Sequence, residues 1–105
     1  MQVHVSTGRN IEGSEGLSAH ITGVVQDVLG RFVTRVKRVD VHLSDQNGEK
    51  SGLEDKRCAM EARIEGQRAT TVTHQAATVN EAVIGAVDKL ERRLASALEK
   101  LRDNR

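Results

Sequence analysis

The chain has 105 residues, with 16 Lys plus Arg against 15 Asp plus Glu, for a net charge of +1. That size fits one domain over residues 1–105 with a single modest core. Phe32 is the only aromatic residue and Trp, Tyr and Pro are absent, so the core is expected to be aliphatic and base stacking on aromatic rings is nearly excluded. A nucleic-acid role would have to work through phosphates and shape, because near-neutral total charge makes no case for it unless cations cluster. A single cysteine, Cys58, rules out an intrachain disulfide and points to a reducing compartment. The N-terminus lacks a signal-peptide pattern, and no apolar run approaches the ~20 residues of a membrane span. A cytoplasmic protein without membrane contact is the expectation.

Residues Gln2–Thr7 alternate as a strand, with Val3 and Val5 on one face and His4 and Ser6 on the other. Residues 8–13 read as a turn or loop. A helical pattern then runs from Ser14 to Phe32, with Ser14 as N-cap and Glu15 in the first turn. Leu17, Ile21, Val24, Val25, Val28, Leu29 and Phe32 form its apolar face, and Gly30 falls near its end. From Arg35 to Ser44 a half-buried strand is predicted, with Val39, Val41 and Leu43 inward and Arg38, Asp40 and His42 outward. The connection from Asp45 to Asp55 holds an Asn47-Gly48 pair, a hairpin signal, but it is long enough for a mobile loop, with disorder expected around Gly48–Glu54 and in the last few residues. Residues 56–64 alternate again, with Cys58, Met60, Ala62 and Ile64 inward and Arg57, Glu61 and Arg63 outward. Residues 69–74 form a fourth strand rich in Thr and Val.

Thr78 opens the longest periodic segment, which runs to Arg105. Glu81, three residues on, completes a capping box. Val83, Val87, Leu90, Leu94, Leu98 and Leu101 recur at spacings of three and four and make one apolar stripe. Lys89, Arg92, Arg93, Lys100 and Arg102 lie mostly off it, interspersed with Asp88, Glu91 and Glu99. Such a face is free to meet something acidic, and it is also what an ordinary solvated helix presents.

The order β-α-β-β-β-α, with sheet faces that are half apolar, predicts an α+β two-layer sandwich. Its four-stranded sheet carries both helices on one face. A hairpin between the second and third strands puts Arg38 at one end and Lys56 and Arg57 at the other, as separate patches. Arg38, Arg57 and Arg63 share the open face with Asp40 and Glu61, which reads as ordinary exposed sheet surface. His4 and His42 share that face, but two histidines without further ligands do not make a zinc site. Cys58 shares the inward face and is expected to be a small core residue. No Ser/His/Asp arrangement, phosphate-binding loop or dinucleotide fingerprint is readable, so no enzyme, cofactor or small-molecule substrate is expected.

Several stretches together resemble the ribosome hibernation promoting factor family, also called ribosome-associated inhibitor A or sigma-54 modulation proteins. They are the opening Met1-Gln-Val-His-Val-Ser-Thr-Gly-Arg-Asn10, the strand Val39-Asp-Val-His-Leu43, the stretch Asp55-Lys-Arg-Cys-Ala-Met-Glu-Ala-Arg63, and Glu81–Leu94 with the basic tail. The resemblance covers nearly the whole chain and looks like the short form. It implies a fold similar to double-stranded RNA-binding domains. It also implies binding to 16S ribosomal RNA of the small ribosomal subunit, in the channel for messenger and transfer RNA, where family members block translation under stress. By the same resemblance Lys89, Arg92, Lys100 and Arg102 match the basic second helix, with Arg93 beside them and Arg38, Lys56 and Arg57 at adjoining strand ends. The alternative is a small protein-interaction module of the same fold. The first helix departs from the family in having Arg31 as its only strong cation, near its end.

Overall fold

The computed structural model describes residues 1–8, 10–46 and 55–103. Strand β1 (Gln2–Thr7) leads to helix α1 (Glu15–Val28) and a 3₁₀ turn (Gly30–Phe32). Strands β2 (Val36–Asp45), β3 (Lys56–Ile64) and β4 (Thr70–Ala76) follow, and helix α2 (Val79–Asp103) closes the chain. The sheet order is β1-β2-β3-β4. β1 runs parallel to β2, a pairing that needs a crossover, which α1 supplies. The other two pairings are antiparallel. The α+β arrangement expected from the alternation is therefore the one observed.

One sheet face is buried under the helices. Val39, Val41, Leu43, Cys58, Met60 and Ala62 are at most 1% exposed, and the period of two that carries them leaves Arg38, His42 and Arg63 on the open side. Val36 is also buried, although its parity is that of Arg38. A register shift between Val36 and Arg38 accounts for it: Lys37 is an extra residue on β2, and the bulge turns Val36 back to the core. Burial pushes the Cys58 thiol up to about 12, as its place among core side chains requires.

The helix ends follow local chemistry. The Ser14 hydroxyl accepts from the Leu17 N–H at 3.0 Å, and the Thr78 hydroxyl accepts from the Glu81 N–H at 3.1 Å. The Glu81 carboxylate accepts from the Thr78 hydroxyl at 3.2 Å, so the two side chains of the predicted box bond each other directly. The first helical run, expected to reach Phe32, ends at Val28 and tightens into the 3₁₀ turn at Gly30. Leu29 and Phe32 stay in the core across this break. The fourth strand runs two residues further than expected, to Ala76. The Asn47-Gly48 turn signal and the loop expected over 48–54 lie outside the described residues, as do residues 104–105.

Helix α2 is 25 residues long, which spans about 37 Å, whereas the 7 residues of β4 beneath it span about 23 Å. The predicted stripe is therefore divided. Val83, Val87, Leu90 and Leu94 are buried, and Ala82 and Ala86 join them. Leu98 and Leu101 overhang the sheet end and are half-buried.

Candidate nucleic-acid interface

β4 is an edge strand, and α2 lies along it. Lys89 and Arg93, one helical turn apart, reach down the same flank. The Lys89 ammonium donates to the Thr73 carbonyl at 2.9 Å, and the Arg93 guanidinium donates to the Thr71 carbonyl at 3.5 Å. Alternate carbonyls of an unpaired edge are thus met by cationic side chains. Arg92 sits beside them and points away from the sheet, its side chain 79% exposed. Its contact with Asp88 at 3.2 Å is an exposed pair one turn apart, worth only a few tenths of a kcal/mol, so it yields readily to a phosphate. These three cations and residues 71–73 line a groove of about 550 Å³. Lys100, seven residues beyond Arg93, is exposed on the same flank by helical phase.

Arg102 is not part of this group. It lines a different cleft, with Arg31 and Arg35, below the overhanging end of α2. The five cations read as one basic helix face therefore split between two flanks.

The strand cations are positioned by the β2–β3 register. Arg38 lies opposite Arg63, and Arg57 and Lys56 lie opposite Ser44 and Asp45 at the other end, which gives the two separate patches the hairpin implies. Arg38 bonds Asp40 at 2.8 Å and Arg63 bonds Glu61 at 2.9 Å, so the like charges facing each other are each answered two residues along their own strand. Arg57 faces the open side between Ser44 and Gln75. Lys56 is inward: it lies between Asp55 at 2.9 Å and Asp45 at 3.4 Å, both buried carboxylates. The hydrogen bond that the Lys56 ammonium donates to the Asp55 carboxylate, and then the charge of Asp45, hold Lys56 above its ordinary pKa. That arrangement pins the base of the β2–β3 connection.

The two histidines on the open face are offset by two residues in the β1–β2 register. His4 pairs in register with Asp40 and His42 with Ser6, and the His42 ring lies 2.9 Å from the Ser6 hydroxyl. Among the described residues no three His, Cys, Asp or Glu side chains converge as metal ligands would. Sequence reasoning did not include Arg31 and Arg35 among the site residues. The only signal was a pair of arginines flanking a helix end, and folding is what brings the tail of α2 above them.

The α+β fold, a four-stranded sheet with two helices on one face, is shared by solved structures. The N-terminal domain of Thermus thermophilus Protein Y superposes with a TM-score of 0.70 at 22% identity, covering 89% of this chain and 94% of that one. A ribosomal subunit interface protein from Coxiella burnetii superposes with a TM-score of 0.68 at 15% identity, covering 94% and 99%. A search of curated proteins finds no match. Residues 5–102 match the family described as sigma 54 modulation protein / S30EA ribosomal protein, and the chain belongs to that family.

Proposed function

We propose that the protein is a cytoplasmic hibernation factor that binds the small ribosomal subunit and blocks translation by occupying the channel for messenger and transfer RNA. The observation that carries this reading is the arrangement of Lys89, Arg92 and Arg93 on one rigid helix flank above β4. Cations fixed at helical spacing neutralise adjacent phosphates without the entropy cost of ordering a loop, and the guanidinium groups bind phosphate oxygens bidentately. Ribosomal RNA presents one fixed shape, so occlusion needs neither a base-specific pocket nor a catalytic step. Family membership supports a ribosomal partner. Arg57 and Lys100 extend the contact, while Arg38 and Lys56 contribute less because carboxylates already hold them.

The test is co-sedimentation with purified small subunits across a salt series, for the native chain and a Lys89→Glu/Arg92→Glu variant. The expected result is salt-sensitive binding that the variant loses. A native chain that stays in the supernatant at low salt refutes the ribosome reading and leaves a protein-interaction module. Salt-insensitive binding retained by the variant moves the contact away from α2.

A further inference from the structure

The second concentration of arginines lies where no single helix face predicts it. The tail of α2 runs past the sheet. Beneath it, the 3₁₀ turn, the approach to β2 and the β3–β4 turn enclose a cleft of about 680 Å³. Arg31, Arg35 and Gln67 border it, and Leu98 and Leu101 form an apolar wall. Its volume is that of a small-ligand site, and its mixed lining suits a ligand with one flat apolar part and one charged part.

Arg31 is the informative residue. Its guanidinium carbon lies 4.5 Å from the centroid of the Phe32 ring, and Phe32 is anchored in the core at 6% exposure. The ring therefore backs one side of the guanidinium. The Arg31 side chain is nevertheless 62% exposed, and its contact with Glu91 is a loose 3.9 Å. A planar cation braced from behind and open in front offers a stacking surface for a base, which is how arginine substitutes for the aromatic platforms this chain lacks. Arg35 is exposed on the same turn, and its backbone N–H is bonded to the Phe32 carbonyl at 2.9 Å. That bond ties the Arg35 backbone to the turn that carries Arg31 and Phe32. Glu65, also on the cleft wall, has its charge answered by Lys37 at 3.3 Å, and Gln67 beside it presents an uncharged amide to a base edge.

We infer that this cleft holds one unpaired nucleotide of an RNA strand, its base on the outer face of the Arg31 guanidinium and its phosphate on Arg35. The inference rests on the RNA-binding reading above and deepens it: the β4 flank meets phosphate alone, and the cleft adds a base contact. Duplex RNA is excluded because its bases are already stacked on each other.

The experiment is an NMR titration of the isotope-labelled full chain with a single-stranded hexaribonucleotide, a blunt RNA duplex and AMP, beside small-subunit co-sedimentation. The single strand should shift the resonances of residues 31–35 and 67. Arg31→Lys, which keeps the charge and loses the plane, should weaken that binding about tenfold, the loss of one stacked base, with the rest of the spectrum unchanged. Lys89→Glu/Arg92→Glu should leave the cleft shifts in place. Absent cleft shifts, equal shifts with duplex, or native-like binding by Arg31→Lys overturns the inference. AMP bound as tightly as the hexamer also overturns it, since the site would then serve free nucleotides. Cleft shifts without co-sedimentation refute the ribosome reading alone, and the reverse pattern refutes the cleft alone.

Discussion

The Lys89 ammonium donates to the backbone carbonyl of Thr73 at 2.9 Å. One side chain thus has two roles. It fills an open position on the edge of the sheet, and it stands at the centre of the groove proposed to meet RNA.

The first role predicts self-association when it is removed. An unprotected edge is a template for another strand, so Lys89→Met/Arg93→Met, which keeps the aliphatic stems but frees the Thr71 and Thr73 carbonyls, should dimerise with rising concentration in sedimentation velocity. Its unfolding free energy should change by less than about 1 kcal/mol, since both bonds are exposed. A variant that stays monomeric at every concentration would show that the edge is protected by other means.

The second role predicts a graded loss of RNA affinity. Arg92→Ala should reduce the slope of log affinity against log salt by about one, as one phosphate contact is lost. Arg38→Ala should leave that slope unchanged, because Asp40 already holds the guanidinium. Equal effects from both substitutions would contradict the division of cations described above.

The unequal burial of the α2 stripe predicts unequal stability losses. Leu94 is 0% exposed, and Leu94→Ala should cost about 2–5 kcal/mol in chemical denaturation. Leu101→Ala, on the overhang, should cost less than about 1.5 kcal/mol. Comparable losses would mean that the end of the helix is covered.

Lys56 predicts a pH dependence whose sign follows from its raised pKa. The folded value lies above the unfolded 10.5. The contribution of the ammonium to stability is therefore complete below that pH and is lost as pH rises through the folded value. Denaturation midpoints should fall in that alkaline range. Lys56→Met, which leaves the buried Asp45 and Asp55 carboxylates without their shared ammonium, should lower stability at neutral pH and show less of the alkaline fall. An identical alkaline profile in the variant would assign the fall to another group.

Cys58 predicts chemical silence in the folded state. A thiol held near 12 and 0% exposed stays protonated and out of reach at neutral pH. Its modification by a thiol reagent should track global unfolding in a denaturant series. Fast labelling in native buffer would show that β3 opens locally.

The strands were legible because their side-chain period is two and one face is buried: Cys58, Met60, Ala62 and Ile64 declare the inward side of β3 by alternation alone. The bulge at Lys37 was not, since it depends on the register between β2 and β3 and on a place for Val36 in the core. The end of α1 was misplaced for a related reason. Leu29 and Phe32 keep helical spacing, but the chain meets their buried positions through a 3₁₀ turn.

Alone, the sequence determined the order of elements, the caps at Ser14 and Thr78, the inward faces and the stretch of cations on α2. All of these arise from neighbours within a few residues. Tertiary structure decided which cations act together. Lys89 and Arg93 belong to β4 because α2 packs along that edge, Arg102 joins Arg31 and Arg35 because the helix outruns the sheet, and Lys56 lies between two buried carboxylates because β2 and β3 pair in one register. Charge interactions reach across space within about 10 Å regardless of separation along the chain, so their partners are set by packing.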